Sequence, residues 1–252
     1  MSRSIRRAAV LLAAITTLGL VGPGAVVTAE AASTNPQSSS HWRACSRTLD
    51  TVRTSIGAKQ RTVTIVNQTS TTHARVSFYV RTDSRCSFTR KFLTTTARLG
   101  YGGTVDGTKR HQGTGTTPRG TYTMTQSFGN GAAPDSWLPY HRVKKGDYWV
   151  GDNKSAYYNS LRNKSQGGFR YGLASSSINS SEYLPHYPSQ YRYAIVINFN
   201  RAPDTKVAYR GTGIFLHVKS SGATAGCVGV TAHQMRVVLA YLKSGDRITI
   251  AR

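Results

Sequence analysis

The sequence predicts a mainly β domain with one helix packed on it near the C-terminus. Three observations carry that prediction. Alternating or β-branched runs recur at strand length, at 62–66, 75–80, 121–125, 147–150, 193–199 and 247–250. The segments between them are dense in Gly, Ser, Thr and Asn, the residues of turns. Only 231–245 carries a helical pattern with both a start and a stop.

At the N-terminus, Arg3, Arg6 and Arg7 form a positive region, Ala8 to Leu20 is apolar and uncharged, and Ala29-Glu30-Ala31 places small residues around a cleavage point. Residues 1–31 are therefore expected to be a secretory signal peptide. The apolar run is too short for a membrane anchor and is broken by Gly22, Pro23 and Gly24. No later run is long enough, so no transmembrane segment is expected in the mature chain. Residues 32–58 read as a Ser/Thr-rich linker and N-terminal segment, and 59–252 as the folded domain.

Within that domain, 99–120 is glycine-rich and reads as loops and tight turns. Residues 151–190 are polar, aromatic and irregular, and an insertion of that length usually carries a binding surface. The run 193–199 is apolar enough to be central. Trp137 and Trp149 read as core residues. Thr231 is the expected helix N-cap, with Gln234 three residues on completing a capping box. Met235, Val238, Leu239 and Leu242 then form one apolar face, and Ser244-Gly245 ends the helix.

Lys and Arg number 33 against 10 Asp and Glu, a formal charge of +23. Removing the first 31 residues leaves about +21. The charges are scattered and form no dense basic run, which points to a diffuse positive surface and away from a nucleic-acid groove. Outside the cell such a surface meets anionic wall polymers. The chain is expected to be secreted, associated with the cell wall and monomeric.

Three cysteines are an odd number for an exported chain. Cys45 and Cys86 are expected to form a disulfide. Cys227 is left over, at a tight Thr224-Ala225-Gly226-Cys227 turn that follows an apolar strand ending in His217. A thiol beside an imidazole is a nucleophile with its base. The amides of 226 and 227 are candidate oxyanion donors. The ring would be oriented by a backbone carbonyl of the 218–221 turn or by the hydroxyls of Ser220 and Ser221. Zinc would need further ligands, and no CxxC, HxxxH or nearby carboxylate supplies them.

These segments resemble the signature of the L,D-transpeptidases (YkuD-like), a strand-borne His followed by Ser/Thr-x-Gly-Cys. Gly115-Thr116-Thr117-Pro118-Arg119-Gly120-Thr121-Tyr122 resembles that family's upstream Thr-Pro-x-Gly-x-Tyr/Phe segment. Trp149 to Asn159 and Tyr193 to Asn200 resemble the version in secreted actinobacterial-type members. The resemblance implies an L,D-transpeptidase-like β-sandwich with the C-terminal helix packed on it, over 59–252. It implies a cysteine acyltransferase that forms 3→3 cross-links between peptidoglycan stem peptides, with Cys227 as nucleophile, His217 as base and Gly226 at the oxyanion site. No metal or cofactor is implied. Thr224, Ala225, Tyr157, Tyr158, Arg170, Glu182 and Arg192 are the expected substrate-binding residues; Glu182 would take a substrate ammonium, Arg170 or Arg192 a carboxylate. The pattern departs from the family at Ala225, commonly His, and at Gly229, commonly Arg or Asn. Two alternatives follow: an L,D-carboxypeptidase using the same cysteine, or a non-catalytic wall-binding protein on the same scaffold.

Overall fold

The computed structural model describes residues 42–252. The expected signal peptide and the start of the linker lie outside them. Strands β1 (Cys45–Leu49) and β2 (Val52–Ile56) form a hairpin, so part of the segment 32–58 is folded. An antiparallel meander follows: β3 (Thr62–Ser70), β4 (His73–Arg81) and β5 (Phe88–Arg98). A short β6 (Thr104–Asp106) leads into the long β7 (Thr117–Gly129), and β8 (Tyr140–Arg142) pairs beside it. β9 (Asp147–Trp149), β10 (Leu161–Asn163) and β11 (Glu182–Tyr183) make a separate small sheet that organises the irregular insertion. The chain ends with β12 (Ala194–Ile197), β13 (Phe215–Val218), β14 (Val228–Val230), α1 (Ala232–Tyr241) and β15 (Asp246–Ala251).

The mainly β fold with one C-terminal helix is present, but the expected sandwich is corrected to a closed barrel. The strands run β12-β13-β14-β5-β4-β3-β15-β7, and β7 pairs back onto β12 to close a ring of eight. Closure is possible because β7 is long enough to pair with β15 through its first half and β12 through its second. An irregularity between Ile195 and Ile197 lets β12 bend onto it.

Period-two alternation sends the side chains of β12 and β13 into two cores. Ile195, Ile197 and Leu216 join the barrel core with Met124, Phe78, Ile248, the helix residues Met235, Val238 and Leu239, and Leu242 at the helix C-cap. Ala194, Val196 and Phe215 face the other way, into a second cluster with Phe128, Trp149, Leu184, Tyr191 and Cys227. Both faces of β12 are thus covered, which is why its sequence is apolar throughout. Thr231 and Gln234 form the reciprocal capping box that starts α1.

The hairpin closes a third cluster, Ile56 against Val63, Ile65 and Tyr79. The Cys45–Cys86 disulfide fastens it. Trp149 is buried, but Trp137 is 64% exposed, which corrects its reading as core; its ring lies 4.7 Å from the Lys243 ammonium. Among the described residues no helix is long and apolar enough to cross a membrane.

Candidate functional site

The site is built where β13 and β14 lie side by side in parallel. Leu216 pairs with Val228 and His217 with Gly229. Cys227 is therefore level with Phe215, and the Phe215 N–H donates to its Sγ at 3.3 Å. His217 lies two residues further along the same face, ~7 Å up the strand. The nine-residue return brings the two side chains to one pocket but not into contact. No hydrogen bond joins them.

Four separate segments hold the cysteine. Its S–H donates to the Gly213 carbonyl at 3.3 Å. Gly213 is held in turn by Asn159, whose Oδ1 accepts from Gly213 N–H at 3.1 Å and from Trp149 Nε1 at 2.8 Å, while its Nδ2 donates to the carbonyls of Phe199 and Asn200. Thr117, from the Thr-Pro segment, and Thr224 both donate their hydroxyls to the Cys227 carbonyl, at 3.5 and 2.8 Å. Gly226 has φ +134°, and a Cβ there would stand 2.9 Å from both the Arg110 guanidinium and the Thr116 carbonyl. Its N–H donates to Thr224 Oγ1 at 3.1 Å, so one of the two expected oxyanion donors is engaged within the turn.

The ring-orienting group is the Val218 carbonyl, 2.9 Å from His217 Nδ1. A carbonyl only accepts, so Nδ1 carries the proton and a neutral ring leaves Nε2 bare. Burial lowers the His217 pKa from its ordinary value, and the Val218 bond only partly opposes this. Burial pushes the Cys227 thiol up to about 12, with Glu182 adding to the rise and the Phe215 N–H and Arg110 opposing it. Both shifts favour the uncharged pair.

The pocket over this floor has a volume of about 330 Å³, with walls that include Glu182, Tyr187, Tyr191, Thr224 and Ala225 beside His217 and Cys227. Among the described residues no Lys or Arg lines it, although the chain carries 33 of them. The Tyr191 hydroxyl donates to Glu182 Oε1 at 2.5 Å, and its ring meets His217 edge-on at 5.6 Å. Desolvation raises the Glu182 carboxyl to about 7 despite that bond.

Of the expected binding residues, Glu182, Thr224 and Ala225 are brought to the pocket and the others are not. Tyr158 is buried behind it, its hydroxyl donating to Gln112 Oε1 and accepting from Gly211 N–H. Tyr157 packs under the Arg162 guanidinium, 3.4 Å from its ring centre. Arg170 is committed to Asp152 through bonds of 2.9 and 2.5 Å, and that pair holds the Asp152 carboxyl down at about 2. Arg192 contributes its carbonyl to Gly131 N–H, away from the pocket. Gly229 lies against Lys219, which a Cβ would meet at 3.0 Å, so the departure there leaves room for the residue that follows β13 alongside β14.

Two residues escaped sequence reasoning. Arg110, buried, donates to the carbonyls of Thr116 and Arg210 and braces the back of the cysteine turn. Asn159 was visible only as part of a resembling segment; the signal for its role is a buried amide with every polar atom bonded.

This geometry corrects the expectation of an activated cysteine, and with it of a transferase enzyme forming 3→3 cross-links. Cys45 and Cys86 are joined to each other, so neither offers a free thiol. Cys227 is free, but it is 7% exposed and bonded to backbone on both sides, and burial pushes its pKa up. Neither arrangement supplies a thiolate–imidazolium pair.

The YkuD family model, described as the L,D-transpeptidase catalytic domain, matches residues 61–250. L,D-transpeptidase 1 of Mycobacterium tuberculosis is similar at 11% identity over 80% of this chain and 67% of its own, with a TM-score of 0.33. An L,D-transpeptidase from Stackebrandtia nassauensis is similar at 14% identity over 76% of this chain, with a TM-score of 0.32; the match spans 56% of that protein. No curated protein matches the chain.

Proposed function

The chain belongs to the L,D-transpeptidase (YkuD) catalytic-domain family, and from that premise we propose that it is a non-catalytic wall-binding protein on that scaffold. It holds a peptidoglycan stem peptide in the Cys227 pocket without forming a thioacyl bond. The observation that carries this reading is the state of Cys227: its Sγ is bonded to Gly213 and Phe215 and not to His217.

The pocket's charge agrees with such a ligand. Glu182 is the carboxyl of a cavity that Lys and Arg avoid. A primary ammonium on the bound peptide would draw the proton off Glu182 and pair with it, recovering in the complex the charge that burial suppresses. The surplus of basic residues over the whole chain favours retention among anionic wall polymers. Residues 1–31 act as the export signal, 32–58 as linker and N-terminal segment, and 59–252 as the binding domain. The protein works outside the membrane, as a monomer.

The test pairs reactivity with binding. Intact mass after incubation with a carbapenem should show no adduct, and iodoacetamide should modify Cys227 slowly at neutral pH. Stem tetrapeptides should still bind, by calorimetry, with equal affinity to wild type and Cys227→Ala. A stoichiometric carbapenem adduct that Cys227→Ala abolishes would return the site to acyl chemistry.

A further inference from the structure

A second cavity of about 610 Å³ adjoins the first and differs in character. Glu182, Tyr187 and Thr212 line both, so the two share a wall. The second is built almost wholly from the irregular insertion. Tyr148 lies between Tyr183 and Tyr171, with ring centres 4.9 and 6.0 Å away and planes tilted by 39° and 44°. Tyr171 is 48% exposed, an aromatic side chain that no core requirement explains. Ser175 and Ser180 supply hydroxyls on the same wall. Among the described residues, the hydroxyls of Tyr148, Tyr171 and Ser175 have no hydrogen-bond partner. Lys164, His186 and the shared Glu182 are its ionisable groups besides the tyrosines, a balance that selects no strongly charged ligand.

We propose that this second cavity is a glycan subsite that takes a neutral pyranose ring. A pyranose has one face of weakly positive C–H groups, which the electron-rich face of a tyrosine attracts, and a rim of hydroxyls that need partners. Tilted tyrosines ringed by unengaged hydroxyls match both. Through the shared wall, a sugar here and a peptide in the Cys227 pocket can belong to one molecule. That last step rests on the stem-peptide reading; the sugar subsite itself does not.

Three probes separate the two claims: tetra-N-acetylchitotetraose, a stem tetrapeptide, and a muropeptide carrying both parts. Aromatic NMR of the whole chain should show the chitotetraose perturbing Tyr148 and Tyr171. Tyr171→Ala, a surface change the fold tolerates, should weaken that binding about tenfold, and leave the tetrapeptide's unchanged. Ser175→Ala should weaken it by a smaller factor. The muropeptide should bind at least about tenfold more tightly than the tetrapeptide, because its second contact is intramolecular. Absence of chitotetraose binding, or perturbations that lie elsewhere and survive Tyr171→Ala, would overturn the subsite while leaving the peptide reading intact. Chitotetraose binding without tetrapeptide binding would sustain the subsite and remove the peptide reading.

Discussion

Glu182→Gln isolates the electrostatics of the pocket. The carboxyl is raised from 4.5 to about 7, chiefly by desolvation, so the folded protein keeps its proton where the unfolded chain has lost it. Between pH 4.5 and 7 the unfolded state binds fewer protons than the native state, and stability falls as pH rises. The stabilisation is fully present below the unfolded value and is lost by the time pH passes 7. The span is worth about 3 kcal/mol, an upper bound because Glu182 faces an open pocket where solvent screens its charge. Glutamine keeps the shape and can still accept from Tyr191, but does not titrate. Urea denaturation at steps from pH 4 to 8 should therefore show the difference between wild type and Glu182→Gln shifting by ~2–3 kcal/mol in favour of the variant as pH rises. The same variant should lose affinity for an amine-bearing peptide above pH 7. Parallel stability curves across that range would show that Glu182 is solvated and that the desolvation argument is wrong.

Other perturbations read other parts of the molecule. Phe215→Ala removes the ring that meets Phe128, Trp149 and Tyr191 edge-on, and should cost ~3–5 kcal/mol in urea unfolding; a loss under 1 kcal/mol would mean the second core is loosely packed. Gly226→Ala forces a Cβ onto a φ of +134° and against Arg110 and Thr116, and should destabilise by about 2 kcal/mol or more, seen as a lowered Tm. The disulfide links residues 41 apart, so Cys45→Ala with Cys86→Ala should cost about 3–4 kcal/mol, checked by denaturation with and without reductant. Asn159→Ala should disturb the Gly213 loop whose carbonyl accepts from the thiol, and faster alkylation of Cys227 in that variant is the expected readout.

What could be read from the sequence was local. The helix was legible to its capping box because Thr231, Gln234 and the apolar face all lie within one short stretch. Strands β3, β4 and β12 announced themselves by β-branched runs. Barrel closure was not legible, since nothing in β7 says that it pairs with both β15 and β12. The same limit applies at the site. Spacing placed His217 and Cys227 near one another, and Glu182 stood out as a rare acid. The state of the thiol depends on Gly213 and Asn159, which a long loop path brings to it. Tyr158 and Arg170 looked like binding residues by type, yet one is spent on Gln112 and Gly211 and the other on Asp152. Trp137 shows the converse, a large aromatic left on the surface.

In the non-catalytic reading we propose, two shifts act together to keep the thiol and the imidazole of the pocket uncharged. A working cysteine–histidine pair needs the proton to sit on the ring. Here the thiol stands at about 12 and the imidazole below its ordinary 6.5, both because burial penalises charge. Moving the proton from Sγ to the ring is then uphill, and with no hydrogen bond between the two groups the Coulomb attraction that opposes this acts only across the pocket. Arg110 pulls the thiol the other way, but its guanidinium is itself desolvated and occupied with Thr116 and Arg210. The pH dependence of Cys227 alkylation tests these shifts. The rate should rise with a single inflection far above that of an ordinary thiol, near pH 12 or at the alkaline limit of the fold, and Glu182→Gln should move it down by removing a nearby negative charge. A plateau reached below pH 8 would mean that the ion pair forms, and that the scaffold retains its chemistry.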